Sequence, residues 1–129
     1  MLERLRDLFR SAAVSRDLTR GIKAYREGRL AEARGAVDAV CAATEAVGSS
    51  VSQRMHRLSV RVIAVTLRAE VAAKQGDDGV ARASIEEGFA LWTEARALGV
   101  KIGPRSIEAF ADWETWAREY RGSHGRPRA

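Results

Sequence analysis

Four arginines in the middle of the chain have the type and spacing to bind an acidic group. They share a segment of helical periodicity and are Arg54, Arg57, Arg61 and Arg68. At about 100° per residue, these positions span an arc of only about 60° on a helix. Guanidinium groups hold carboxylates or phosphates through paired hydrogen bonds. The spacing therefore predicts an arginine ridge, made of these four residues, that binds an acidic partner segment or a phosphate-bearing ligand.

The same spacing has a second interpretation, in which the ridge binds no ligand. A row of arginines is also typical of a helix face whose charge is balanced by acids on neighbouring helices. The candidate acids are Glu45, Glu86 and Glu87.

Trp116 is the second candidate for contact with a partner. It lies near the edge of the predicted core face of the last helix, which comprises Ile107, Phe110, Trp113, Ala117 and Tyr120. A partly exposed tryptophan either anchors an interface or covers the end of a small core. The predicted partner-binding residues are thus the arginine ridge and Trp116.

Residues suited to catalysis or metal binding are few. The two histidines are His56 and His124, the single cysteine is Cys41, and no metal-ligand or phosphate-binding motif is present. Cys41 is expected to be a buried core residue, and one cysteine forms no disulfide within the chain. We therefore expect a non-enzymatic protein without a cofactor or metal.

The length of 129 residues suits one domain, and the formal net charge is +5. The positive excess lies in residues 1–34 and 118–129, whereas residues 35–117 are net acidic. This distribution keeps open a rival function, a helical protein that binds nucleic acid or an anionic membrane surface. Because the middle of the chain is acidic, nucleic acid is the less favoured partner. The high arginine and alanine content is typical of a bacterial source.

The N-terminal sequence "MLERLRDLFR" lacks the apolar core of a secretory signal, and no segment has the roughly 20 apolar residues of a membrane span. A cytoplasmic location is therefore expected. Residues 1–13 form an amphipathic pattern that suits docking onto protein or peripheral contact with a membrane.

Apolar periodicity predicts helices at about 2–13, 16–27, 30–47, 52–75, 79–98 and 104–121. The segment 16–27 is either a separate helix or a continuation of the helix at 2–13. No strand pattern occurs. We predict an all-α fold of about five helices over residues 1–121, followed by a flexible basic tail at 122–129.

Two segments repeat one pattern 48 residues apart. When Gly28 is aligned with Gly76, Ala33 falls on Ala81 and Val37 on Ile85. This pattern resembles the tetratricopeptide repeat family, in which a small residue packs against the second helix, a glycine closes the turn, and an alanine lies where the helices touch. The matching positions are Gly21, Gly28 and Ala33 in the first unit and Ala69, Gly76 and Ala81 in the second.

The resemblance implies two antiparallel helix pairs with a C-terminal capping helix. In this family the first helix of each pair lines a groove, at positions that correspond here to Ser15, Leu18, Thr19 and Ile22 and to Ile63, Thr66, Leu67 and Glu70. These residues do not match the family's clamp for a peptide carboxylate. The expected function is a non-catalytic adaptor, scaffold or chaperone-like module that binds a protein segment, with self-association as a further option.

Overall fold

The computed structural model describes residues 2–45, 51–100 and 104–124, with side chains over 14–45, 54–100 and 107–123. These residues form five helices and no strand, which confirms the all-α prediction. The helices are α1 (Leu2–Arg26), α2 (Leu30–Ala43), α3 (Val51–Lys74), α4 (Asp78–Ala97) and α5 (Pro104–His124).

The structure decides between the two alternatives for the first predicted segments: helix α1 is continuous through residues 13–16, because neither glycine nor proline interrupts it there. Two helix boundaries differ from the sequence prediction. Helix α2 ends at Ala43 rather than 47, and the Thr44 hydroxyl donates to the carbonyl of Val40 at 2.8 Å. Helix α5 extends to His124, so Gly122 and Ser123 are helical. The rest of the predicted tail, 125–129, lies outside the described residues.

The two glycine turns have the same geometry. Gly28 has φ 77° and Gly76 has φ 78°, in the left-handed region that favours glycine. In each turn the next amide donates back to a carbonyl of the preceding helix, Arg29 to Ala24 at 2.8 Å and Asp77 to Ala72 at 2.9 Å. Both helices therefore end in the Schellman arrangement, which satisfies their last carbonyls and reverses the chain.

Small residues allow the paired helices to approach closely. Ala33 in α2 and Ala81 in α4, each five residues after the turn glycine, are fully buried. At Gly21, a Cβ atom would lie 3.3 Å from both Ala36 and Val37, so α1 and α2 are in close contact there and a larger residue would have to displace its neighbours slightly. The helices pack in chain order, and α3 lies at the centre because it contributes buried residues to every core cluster.

Helix α5 packs on α4 and α3 through aromatic rings. Phe110 stacks on Trp92 with ring centroids 4.0 Å apart. The Tyr120 hydroxyl donates to Asp78 at 2.7 Å, at the other end of α4. Helix α5 is therefore antiparallel to α4, and α1, α3 and α5 all run in the same direction.

One residue of the predicted α5 core face is in fact outside it. Ile107 is 50% exposed, whereas Phe110, Trp113 and Ala117 are buried. The face that packs on α4 therefore begins at Phe110, one turn later than predicted.

Candidate functional site

The C-terminal part of the arginine ridge, Arg61 and Arg68, lies between helices. The Arg61 guanidinium donates to Glu87 Oε1 at 2.6 Å and to the backbone oxygen of Cys41 at 2.7 Å. Arg68 donates to Glu87 Oε2 at 2.7 Å and to the Ser84 hydroxyl at 2.9 Å. The side chains of Arg61 and Arg68 are only 17% and 19% exposed. Together they join α3 to α4, and Arg61 also joins α3 to the end of α2.

This arrangement corresponds to the interpretation in which acids of a neighbouring helix balance the ridge, and Glu87 is the acid. One carboxylate accepts from two guanidinium groups, so the cluster retains an excess positive charge in a partly buried position. The cluster also closes the carboxyl end of α2, because the Cys41 carbonyl that Arg61 binds is among the last carbonyls of that helix.

The N-terminal part of the ridge is more accessible. Arg54 donates to Glu94 at 2.9 Å, and its side chain is 49% exposed. Arg57 is half-buried. The exposed ion pair between Arg54 and Glu94 contributes little to stability. An incoming acidic group could therefore replace Glu94 at small cost in free energy.

The open face of α3 lies on the other side of the helix from Arg61 and Arg68. Ile63 and Glu70 are about 140–180° around the helix from those arginines. Ile63 is 44% exposed, which is unusual for a large apolar side chain at the centre of the fold. Both positions belong to the set that the tetratricopeptide resemblance assigns to the groove.

A small polar cluster borders this open face where α3 meets α1. The Tyr25 hydroxyl binds the Glu70 carboxylate. Lys74 Nζ lies 4.6 Å from the centre of the Tyr25 ring. Burial raises the pKa of Glu70, although Lys74 and the Tyr25 hydroxyl both oppose that shift. The cluster ties the two parallel helices together through one partly desolvated carboxylate.

Trp116 lies at the side of α5 and is half-buried. Its ring is 6.4 Å from that of Trp113 and 5.5 Å from that of Tyr120. Trp113 itself is fixed in the core, because its indole nitrogen donates to the carbonyl of Thr66 at 3.0 Å. Trp116 is therefore held at the border between the aromatic core and the surface, as the sequence predicts.

Cys41 is buried, and burial raises the pKa of its thiol despite the nearby positive charges of Arg68 and Arg61. Its thiol is thus kept in the neutral, poorly nucleophilic form.

Three features of these surfaces escaped the sequence analysis. The Tyr25–Glu70–Lys74 cluster joins residues of two helices, and only the pair at 70 and 74 has a helical spacing that could have been noticed. The other two are a basic row on α1 and an acidic row on α5, whose members are Arg16, Arg20 and Lys23 and Asp112, Trp116 and Glu119. Their regular spacing of three and four residues was a usable signal.

Comparisons of the chain with protein-family models, curated proteins and solved structures find no match. Within the described ranges, no helix is long and apolar enough to cross a bilayer. In those same ranges, histidine, cysteine, aspartate and glutamate form no group of three or more that could hold a metal ion.

Proposed function

We propose that this chain is a non-catalytic, tetratricopeptide-like binding module that holds a protein segment against the open face of α3. The observation that carries the proposal is the repeated helix pair. The same glycine turn and the same buried alanine recur 48 residues apart at Gly28 and Ala33 and at Gly76 and Ala81. When two helix pairs stack in this way, the first helices of the two pairs, α1 and α3, lie side by side, and one face of α3 is left uncovered.

The chemistry of the open face favours a segment with an apolar anchor. Ile63 offers exposed apolar surface, and the flanking hydroxyls of Ser59 and Thr66 donate to carbonyls of their own helix. Their oxygen lone pairs stay available to accept from a partner. An acidic segment along the arginine ridge is the less supported version, because Glu87 already engages Arg61 and Arg68.

A matched pair of isoleucine variants tests the proposal. Ile63→Arg and Ile107→Arg place the same charge at similarly exposed positions, on and off the open face. The native chain and the Ile107 variant should capture the same protein from host extract, and the Ile63 variant should lose it while keeping its helical circular-dichroism spectrum. Equal capture by both variants would contradict binding at this face. Loss of capture by Arg54→Glu alone would move the site to the ridge.

The rival function, binding of nucleic acid or an anionic surface, draws its support from the positive charge of the chain. Retention on heparin or DNA at about 0.3 M salt is the deciding measurement, because binding through only a few phosphate contacts weakens steeply as salt rises. Elution below that concentration favours the protein-binding module.

A further inference from the structure

The first and last helices carry exposed rows of opposite charge. On α1 the basic row consists of Arg16, Arg20 and Lys23, all exposed. Gly21 and Ala24 face α2 and the core. The basic row lies about 70–130° around the helix from that contact. It therefore occupies the side of α1 that none of the other described helices covers.

On α5 the acidic row consists of Asp112, Trp116 and Glu119, of which the two acids are exposed. The residues of α5 that face α4 are Phe110 and Ala117, and the acidic row lies about 110–170° around the helix from them. The ion pairs of α5 among the described residues join Arg118 to Glu114 and Arg121 to Glu86. Neither Asp112 nor Glu119 takes part in them.

The two rows match in spacing, and their outer members are opposite in charge. Each has members at relative positions 0, 4 and 7, so the outer two side chains are about 10.5 Å apart along either helix. Helices α1 and α5 also run in the same direction within the fold. A second copy placed beyond α5 would therefore bring its α1 alongside in the parallel sense in which α3 already lies beside α5.

We propose that the chain associates head to tail with a second copy of itself, the basic row of one copy docking on the acidic row of the next. In this contact Arg16 faces Asp112 and Lys23 faces Glu119. Arg20 lies over Trp116, where a guanidinium is attracted to the face of the indole ring. The contact joins two different surfaces, so each added copy leaves one row of each kind available for another.

The contact does not depend on the open face of α3, so it holds or fails separately from the proposed binding function. Exposed charges dominate it, and association should therefore weaken as salt screens them. Sedimentation velocity of the full chain at about 10 mM and about 500 mM salt measures how self-association depends on salt. The average mass should rise above the monomer mass of 14.1 kDa with protein concentration at low salt, and should return towards it at high salt.

Charge reversal identifies the surfaces. One variant, Asp112→Lys with Glu119→Lys, makes the α5 row basic, and another, Arg16→Glu with Lys23→Glu, makes the α1 row acidic. Each variant alone should remain monomeric at low salt, because its two rows then have the same sign of charge. An equimolar mixture should associate, because the basic rows of one variant can bind the acidic rows of the other. A matched control is Asp38→Lys with Glu45→Lys, which makes the same charge change at the same spacing elsewhere and should associate like the native chain.

Circular dichroism confirms that each variant is folded before its mass is measured. A native chain that stays monomeric at millimolar concentration and low salt would overturn the proposal. So would association of either reversed variant by itself, or a mixture that remains monomeric.

Discussion

Glu87 links α4 to α3, and through Arg61 it is connected to the end of α2. It accepts from Arg61 and Arg68, and Arg61 reaches on to the carbonyl of Cys41 at the end of α2. A partly buried charge is costly without its partner. The ion pairs of Glu87 with Arg61 and Arg68 therefore contribute more to stability than an exposed ion pair with the same N–O distance.

We expect Arg61→Glu to lower the free energy of unfolding by about 2–3 kcal/mol, since hydrogen bonds to charged groups contribute about 1.5–3 kcal/mol and the new carboxylate would face Glu87. Arg54→Glu provides the control, because its pair with Glu94 is exposed and should cost less than about 1 kcal/mol. Urea denaturation measures both. Equal stability of the two variants would show that the Glu87 cluster contributes no more than a surface pair.

Glu70 should make the folded state more stable at low pH than at neutral pH, the opposite of the usual contribution of a carboxylate. Burial raises its pKa in the folded state above the ordinary value of 4.5. The folded protein therefore holds this proton more tightly than the unfolded chain does. Its contribution favours folding at pH below 4.5 and is lost as the pH rises through the folded-state pKa.

Glu70→Gln should accordingly raise the melting temperature at pH 7, where the native carboxylate is charged and partly desolvated, and should have little effect near pH 4. Thermal denaturation followed by circular dichroism at the two pH values checks this. Glu45→Gln, at an exposed carboxylate, should shift the melting temperature little at either pH. A lower melting temperature of the Glu70 variant at pH 7 would mean that the attraction of Lys74 outweighs burial.

At the scale of elements, the contact between α4 and α5 depends on a glycine within a helix. A Cβ atom at Gly88 would lie 2.7 Å from the Trp113 ring, which is closer than such atoms approach. Trp113 has little freedom to move, because it packs between Phe89 and Phe110 and donates to the Thr66 carbonyl. The bare backbone of α4 therefore forms the surface against which the indole rests.

Gly88→Ala should destabilise the protein by about 1–3 kcal/mol, the usual cost of overpacking a core. Gly35→Ala is the matched control, since nothing lies within 4 Å of a Cβ atom at that helical position. It should stabilise the protein by up to about 1 kcal/mol through helix propensity. Urea denaturation of the pair should thus give changes of opposite sign. The same sign at both positions would contradict the close contact.

The sequence predicts the helices and the glycine turns well because both depend on neighbouring residues. The turn at Gly28 needs only a helix before it and a residue tolerant of positive φ. Neighbouring residues do not determine whether the arginine ridge is open to a ligand or paired with acids of another helix. Periodicity places Arg61 and Arg68 on one face, but Glu87, which covers that face, is 26 positions beyond Arg61. Gly88 was missed for the same reason, because its partner is a ring on another helix.

At the scale of the whole molecule, α3 joins the two halves of the fold. Leu67 and Val71 pack with α1 and α2, while Val62 and Ala69 pack with α4 and α5. Because one helix supplies residues to both clusters, loss of either half removes packing from the other. We therefore expect the described helices to unfold as one cooperative unit.

The aromatic packing of α5 gives the molecule a built-in optical reporter of one half only. All three tryptophans, Trp92, Trp113 and Trp116, belong to α4 and α5. Their emission therefore follows the C-terminal half, whereas far-ultraviolet ellipticity follows every helix. If α3 couples the halves, the two signals should give the same urea midpoint. An ellipticity change that precedes the fluorescence change would show instead that α1 and α2 detach first, while the indoles still rest in their apolar surroundings.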